Sequence, residues 1–358
     1  MPGEIRLAIN YEKDQGLRLR SKGKDGRRRP SRLDCRRMTP LRPIQRSVET
    51  LVESARASLT EATLSLFQHA PYPLEHTLDY AGDPGLLGPD AVSWRVIADP
   101  AAFVGGLRGL LIQAAHPEVV AGVDQHSNYR DDPLGRLSRT SAYVTATTFG
   151  ARPEVEEAVS RVRRSHRAVR GESSRGVPYD AREPEHAAWV HNALTDSFLT
   201  TNRYYSDYPL TTVEADRFVK EQTVIGALLG AEPLPSNAVE LSSWTTDHPE
   251  IDSSPEMTKV VEFLTAPPLS PAIKLGYVVL LEAAVATLPD RLLQILDLKP
   301  KPAARIAGRA AVNRLRWALG YSPSWALALQ RVGADVPGGL FRRVPERDPD
   351  RVARGSHR

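Results

Sequence analysis

The sequence predicts an all-α protein, and three features lead to that fold class. Apolar residues recur in steps of three and four from about residue 44 to residue 332, which is the spacing of one helix face. Most of the 29 prolines stand where one such pattern ends and the next begins. Strand and helix patterns do not alternate, and no repeat of fixed period occurs. We expect one large multi-helix domain over residues 41–345, with disordered tails at residues 1–40 and 346–358.

The basic character of the chain is confined to its N-terminal tail. Of the total formal charge of +4, residues 1–46 carry +9 and the remaining chain carries −5. The tail has too few apolar residues to offset the entropy of ordering it. An arm for nucleic acid or an anionic membrane is one interpretation, but we favour a solvated tail or a translation start at Met38. We therefore expect no nucleic-acid partner and no transmembrane segment, and leave peripheral membrane contact open.

The cysteine content limits the chemistry of the core. Cys35 is the only cysteine and lies in the tail, which excludes an intrachain disulfide, a zinc ribbon, an iron–sulfur cluster and a thiolate-ligated haem. This usage is typical of a reducing compartment, and because no signal peptide is visible we expect a cytoplasmic protein. The most apolar run, residues 275–288, is shorter than the roughly 20 residues that cross a bilayer, and Glu282 interrupts it. We interpret this run as a buried core helix.

The first helical pattern covers residues 44–62. A loop rich in Gly, Pro and Asp follows, in which AVSWRVI at residues 91–97 is the only strand-like segment. Residues 101–115 then predict a helix with glycines at positions 105, 106 and 109, where another backbone or a flat ligand can come close. His116 precedes Pro117, which opens the next helix, so His116 is expected at a helix junction.

The next helix is predicted from Pro133, with Asp132 as its cap, to a stop at Gly150. AYVTATTF within it has the β-branched content of a strand, but the length of the run favours a helix. Four polar residues then share one face: Arg136, Thr140, Tyr143 and Thr147. Taken alone, this face also fits a surface ion pair of Arg136 with Asp131 or Asp132.

Residues 153–171 give the strongest helix prediction of the chain. Acidic residues lie near its N-terminal end, arginines crowd its C-terminal end and Gly171 stops it. His166 is the one titratable residue in its apolar stripe. On the residues alone, a core histidine bonded to a backbone carbonyl is favoured over a metal ligand.

His191 lies on the apolar side of the following long helix. After that helix, Thr211 and Glu214 form a capping box, and further helical segments lead to Val336, beyond which we expect the chain to fray. The hydrolase and nucleotide-binding motifs G-x-S-x-G, G-x-x-x-x-G-K-[ST], G-x-G-x-x-G and H-E-x-x-H are absent. A non-haem iron triad would need a carboxylate converging with two histidines, whereas a haem needs one imidazole and an apolar slot.

Several spaced motifs over roughly residues 75–345 resemble the oxygenase family that contains MpaB of mycophenolic acid biosynthesis and the latex-clearing rubber oxygenases. These motifs are GLLGPDAVSWRV, GGLRGLLIQAAHP, DPLGRLSRTSAYVTATTFG, VRRSHRAVRG, GVPYDAREPEHAAWVHNALTDS and the LP and DR pairs at residues 288–291. The resemblance implies an all-α domain that encloses a b-type haem. It implies that His166 is the iron ligand, that Arg136 and Thr140 lie near the haem, and that His116 and His191 belong to the same cofactor-binding pattern.

One position departs from the rubber oxygenases, which carry a lysine directly before the motif threonine. Here that position is Arg139, counted among the cofactor-binding candidates. A guanidinium stays protonated and cannot ligate iron, so a lysine-capped resting state is not expected. The catalytic carboxylate of the rubber enzymes has no clear counterpart, and Glu118 is a candidate for it.

The resemblance leads to a first hypothesis, a haem b-dependent oxygenase that binds dioxygen opposite His166. Its substrate would be a small apolar molecule, isoprenoid or lipid-like, cleaved at a carbon–carbon double bond, with Arg136 and Thr140 as the catalytic residues. The alternative is a haem carrier or sensor without turnover. A third hypothesis, a helical protein tethered to DNA or a membrane by its tail, is disfavoured by the acidic balance of the folded part.

Overall fold

The structure is a computed structural model that describes residues 42–342. Within that range the chain forms fourteen α-helices, one short 3₁₀ helix at Thr77–Asp79 and one two-stranded antiparallel hairpin, which confirms the all-α fold class. The elements are α1 (Arg42–Ser65), α2 (Val92–Ala98), α3 (Ala101–Ala114), α4 (Pro117–His126), α5 (Pro133–Phe149), α6 (Arg152–His166), β1 (Arg170–Glu172), β2 (Pro178–Asp180), α7 (Pro184–Tyr205), α8 (Thr212–Ala227), α9 (Ala238–Asp247), α10 (Pro255–Thr265), α11 (Pro271–Val285), α12 (Asp290–Ile295), α13 (Ala304–Leu319) and α14 (Pro323–Val332). The predicted tails lie outside the described residues.

The segment predicted to be strand-like is a helix. Residues 92–98 form α2, whose first two backbone N–H groups donate to the Glu221 carboxylate at 3.1 Å (Val92) and 2.8 Å (Ser93). Glu221 lies on α8, far away in the sequence, so a tertiary contact satisfies the donors that a helix leaves unpaired at its start. Trp94 and Val96 are then buried in the core. The β-branched composition was misleading because packing and this capping outweigh local propensity.

The α3–α7 pair makes the most extensive helix contact of the fold. Two glycines of α3 make it possible: a Cβ at Gly105 would lie 2.6 Å from Phe198 Cδ1, and one at Gly109 would lie 2.9 Å from Leu194 Cδ1. Any larger side chain at these positions would push the helices apart. This agrees with the predicted close approach at positions 105 and 109, whereas a Cβ at Gly106 would meet no atom within 4 Å.

Further helices surround this pair. Helices α4, α10, α11 and α12 pack with it around a cluster that contains Leu111, Trp189 and Leu292. Helices α2 and α14 pack around Trp94 and Phe149, and α13 packs on α11. Helices α5 and α6 pack on each other.

Helix α6 ends earlier than predicted. Its last residue is His166, and the following residues turn into the hairpin instead of continuing to Gly171. The Val169 N–H donates to the His166 carbonyl at 3.1 Å, and Gly171 pairs with Tyr179 across the two strands. The hairpin turn contains Gly176, at a φ of +72° that favours glycine. The chain after α6 therefore pairs with a strand only a few residues later, and helical spacing alone does not reveal this pairing.

Two further expectations need correction. The chain does not fray directly after Val336, because the Tyr321 N–H donates to the Leu340 carbonyl at 2.8 Å and Phe341 bridges to Gly320. The apolar helix α11 is buried only in its second half, since Leu281 is 3% exposed and Leu275 is 74% exposed. Among the described residues, no single helix is long and apolar enough to span a membrane, while the bent pair α2 and α3 meets that criterion by length and composition only.

Candidate functional site

A cavity of about 1970 Å³ lies between α3 and the helices α5, α6 and α7, and extends towards α1, α11 and α13. Its lining is mostly apolar and includes Leu107 and Leu110 of α3, Val162 of α6 and Phe198 of α7. Pockets for single drug-sized ligands usually measure about 300–1,000 Å³. This cavity therefore has room for a large cofactor together with a second molecule.

His166 lines this cavity from the C-terminal end of α6. Its side chain is partly buried, and within the described residues it makes no hydrogen bond and no ion pair. Burial lowers the pKa of His166, although the carboxylate of Asp180 acts in the opposite direction. The imidazole is therefore neutral near pH 7 and presents a free nitrogen lone pair. A core histidine would instead be bonded to a backbone carbonyl, and the structure gives His166 no such bond.

Arg136 lines the same cavity from α5. Its guanidinium donates to Ser127 Oγ, and no carboxylate in the described part of the chain lies within ion-pair distance of it. Burial lowers the pKa of Arg136, and the nearby charge of Arg139 adds to this. The surface ion pair considered for Arg136 is formed by Arg139 instead, whose Nη1 lies 3.1 Å from Asp132 Oδ2. Arg136 is thus a cation without an anionic partner at the cavity wall.

Two hydroxyl groups lie further along the same face of α5. Thr140 lines the cavity, and its Oγ1 donates to the Arg136 carbonyl at 3.1 Å, which leaves the oxygen lone pairs free. Tyr143 also lines the cavity, and its hydroxyl has no hydrogen-bond partner among the residues described. Burial raises the pKa of Tyr143 despite the opposing charge of Arg163, so the phenol keeps its proton and can donate it. The helical spacing placed Tyr143 on this face, but no motif singled it out as a site residue.

His191 lines the cavity from α7 but is held by its neighbours. Its Nε2 lies 3.4 Å from Thr195 Oγ1, and a Cβ on Gly226 of α8 would lie 3.0 Å from the same nitrogen. Burial lowers the pKa of His191 to about 4. This ring packs between α7 and α8, with one edge at the cavity.

His116 is 2% exposed and is not among the residues that line the cavity. It lies at the junction before α4, as its place before Pro117 predicted, but its side chain makes no capping hydrogen bond within the described residues. Its ring packs against His186 and His248, with ring centroids 5.4 and 5.6 Å away. Burial lowers its pKa to about 3, with a further contribution from His186. A ligand in the cavity would meet His186 and Glu118 before it could reach His116.

Over the part of the chain that the structure covers, no three His, Cys, Asp or Glu side chains converge as a metal site would require. A triad of protein ligands is therefore not formed by these residues. A porphyrin supplies four nitrogens itself and needs one imidazole from the protein. His166, with its free nitrogen on a large apolar cavity, meets that requirement.

Comparison with known families gives one match. Residues 94–317, from α2 to near the end of α13, match the family described as ER-bound oxygenase mpaB/B'/Rubber oxygenase, catalytic domain. Comparisons with curated proteins and with solved structures found no match. The family match covers more than half of the chain and includes the cavity-lining segments of α3, α5, α6 and α7. The chain therefore belongs to the MpaB and rubber oxygenase catalytic-domain family, a family of oxygenases.

Proposed function

We propose that this protein is a haem b-dependent oxygenase with His166 as the iron ligand. We further propose that it acts on a small apolar substrate, isoprenoid or lipid-like, by oxidative cleavage of a carbon–carbon double bond. The observation that carries the proposal is the neutral imidazole of His166, which has no hydrogen-bond partner among residues 42–342 and lies on the wall of an apolar cavity of about 1970 Å³. Family membership supports the oxygenase class.

The residues at the cavity fit a haem in three respects. The volume is sufficient for a macrocycle and a substrate together. The free nitrogen of His166 can bind iron without first giving up a hydrogen bond. Arg136 has no carboxylate partner in the part of the chain that the structure describes, so a propionate group would supply an anion for it.

When bound, the haem would supply the iron that activates dioxygen. The residues of the chain itself would supply charge, a proton and hydrogen-bonding groups around it. Arg136 provides a fixed positive charge where negative charge develops, and the Tyr143 hydroxyl holds a proton that it can donate. Thr140 provides hydroxyl lone pairs one helical turn from Arg136.

The apolar wall supports the proposed substrate class. Gly106, Leu107 and Leu110 of α3 line the cavity and offer few hydrogen-bonding groups, so an apolar substrate would gain free energy by leaving water there. Leu275 of α11 both lines the cavity and is 74% exposed, which indicates that the cavity reaches the surface beside the first half of α11. A hydrophobic substrate could enter along this side.

The first test is the absorption spectrum of full-length protein expressed with added haem. We expect a Soret band in the purified protein, and a cofactor-free protein that does not bind added hemin would contradict the proposal. The second test is incubation with unsaturated lipids and isoprenoids under air, followed by detection of aldehyde or ketone products by mass spectrometry. Stoichiometric haem with no product from any substrate would favour the alternative, a haem carrier or sensor.

A further inference from the structure

Glu118 of α4 is 3% exposed and is held by the turn of the β1–β2 hairpin. Its Oε1 accepts from Ser173 Oγ at 2.9 Å and from Arg175 Nε at 3.1 Å, and its Oε2 accepts from Arg175 Nη2 at 2.5 Å. The arginine therefore binds the carboxylate with two parallel hydrogen bonds, the geometry that gives strong and directional pairs. We call these three residues, Glu118, Ser173 and Arg175, the hairpin anchor.

Other contacts align the hairpin along α4. Gln125 Nε2 donates to the Glu172 carbonyl at 3.0 Å, and Tyr179 OH donates to Gln125 Oε1 at 2.6 Å. Ser174 Oγ also donates to Glu256 of α10 at 2.8 Å. Among these contacts, the hairpin anchor is the one that joins two opposite charges with a buried partner.

The hairpin continues directly from the end of α6, which carries His166. The Val169 N–H donates to the His166 carbonyl at 3.1 Å, and the Ala181 N–H donates to the Val169 carbonyl at 2.9 Å. Asp180, at the end of β2, is the carboxylate whose charge acts on the His166 imidazole. A shift of the hairpin would therefore move both the backbone at His166 and the charge beside its ring.

We propose that Glu118 is a positioning residue: through Ser173 and Arg175 it fixes the hairpin on α4, and thereby fixes the end of α6 and the imidazole of His166. The part of the inference that concerns iron rests on the proposed function. The part that concerns the end of α6 stands on the contacts alone.

This role differs from that of a proton-accepting base in the cavity. Burial by itself would raise the pKa of Glu118, but the hydrogen bonds from Arg175 and Ser173 outweigh it and the pKa lies below its ordinary value. His116 Nδ1 lies 3.5 Å from Glu118 Oε2, and Glu250 lies 3.5 Å from Arg175. A carboxylate held ionised by three hydrogen bonds is a weak base, so Glu118 is better suited to hold the hairpin than to accept a proton.

The test measures amide hydrogen exchange of full-length protein without haem, over residues 164–172. We expect Glu118→Gln and Arg175→Gln each to accelerate exchange there at least tenfold, and the double variant to go little further, because both changes break the same contact. Arg130→Gln is the matched control, since it removes an arginine that pairs with Asp124 of α4, and that pair includes no residue of the hairpin. Wild-type exchange in the two single variants would overturn the proposal. The side chain of Arg175 is 31% exposed, so we expect Arg175→Gln to fold. That variant alone then decides the test if Glu118→Gln does not fold.

A second measurement connects the hairpin anchor to the iron. In haem-loaded protein, we expect both single variants to weaken hemin binding about tenfold and to change the iron–histidine stretching band of the ferrous form in resonance Raman spectra, with the control unchanged. An unaltered band and affinity in both variants would overturn the link to His166. If wild-type protein binds no hemin, the proposed function fails, while the exchange measurement still decides whether Glu118 positions the end of α6.

Discussion

The helix pairs α3–α7 and α5–α6 each contain an arginine, fully buried in the first pair and partly buried in the second, and the surroundings of the two arginines are opposite. On α3, Arg108 is 2% exposed, and its Nη1 donates to Asp196 at 2.6 Å and to Ser197 at 3.0 Å. On α5, Arg136 meets one serine hydroxyl and no carboxylate in the region described. Removing a charge from water costs free energy unless the charge is paired. The paired Arg108 therefore needs no ligand, whereas a ligand anion would lower the cost of keeping Arg136 at the cavity. The comparison teaches that Arg108 belongs to the structural core, whereas Arg136 lacks a carboxylate partner among the described residues and is free to bind the anion of a ligand, as proposed above.

The largest effect on stability is expected for Arg108, the arginine that is paired with a carboxylate. Arg108→Met leaves Asp196 as a buried carboxylate without a partner, and we expect a loss of about 3–5 kcal/mol in the free energy of unfolding. Urea denaturation of the haem-free protein measures it. The double variant Arg108→Met with Asp196→Leu should recover most of the loss, because no unpaired charge remains. A single variant as stable as wild type would show that the pair does not stabilise the fold.

The next largest effect is expected on hemin binding by His166. His166→Ala removes the proposed iron bond, and we expect hemin affinity to fall at least 100-fold, about 2.7 kcal/mol. Helical content should stay unchanged, because Val155 and Val159 keep α6 packed in the core. Circular dichroism and hemin titration of one sample separate the two effects. Retention of wild-type affinity and an unshifted Soret band would refute the ligand assignment, and His191→Ala would then be the next variant to titrate.

The third prediction concerns the pH dependence of stability that the neutral, buried histidines produce. The folded pKa values of His116 (about 3) and His191 (about 4) lie below the ordinary 6.5, because burial disfavours the charged ring. Their contribution to stability is complete above pH 6.5 and is lost as the pH falls from 6.5 towards the folded values. We expect these two histidines together to lower the free energy of unfolding by about 2 kcal/mol when the pH falls from 7 to 5.5. His116→Gln should reduce this slope by about half in urea titrations at several pH values, and an identical slope would contradict the assignment.

The smallest effect on stability, and the sharpest contrast with Arg108, is expected for Arg136. Arg136→Met should leave the haem-free protein as stable as wild type, or more stable by up to about 1 kcal/mol, because it removes a cation that has no carboxylate partner within residues 42–342. Turnover of an identified substrate should nevertheless fall at least tenfold. Arg136→Ala and Thr140→Ala are expected to keep the fold and most of the haem while losing turnover. A loss of stability as large as that of Arg108→Met would remove the distinction between the two helix pairs.

Much of the helical framework could be predicted from residue spacing, and the errors of that prediction have physical causes. The capping box at Thr211 and the cap at Asp132 appear as predicted, because they depend on residues within one turn of each other. Helix α2 was predicted as strand-like because Glu221, its capping carboxylate, lies more than a hundred residues away. The early end of α6 was missed for a different reason: the short hairpin that follows it is formed by a turn and strand pairing a few residues later, which helical spacing does not reveal.

The candidate site was predicted in part. The helical spacing of α5 placed Arg136, Thr140 and Tyr143 on one face, and the structure places all three on the cavity wall. The sequence could not distinguish His166 from His191, because both lie on apolar stripes. Two contacts separate them: Thr195, one turn along α7, lies 3.4 Å from the ring of His191, and Gly226 of α8 packs closely on that ring. The ring of His166 has no comparable partner in the described part of the chain.

The three glycines of α3 divide into two kinds. Gly105 and Gly109 face α7 and have no space for a side chain, but a Cβ at Gly106 would meet no atom within 4 Å. Gly106 also lines the cavity, so a side chain there would project into it. Alanine, valine and leucine at this one position would form a graded series that shortens the space for substrate while leaving the helix contact intact. Gly106 is therefore the position at which the size of the accepted molecule could be tuned in steps of a few carbon atoms.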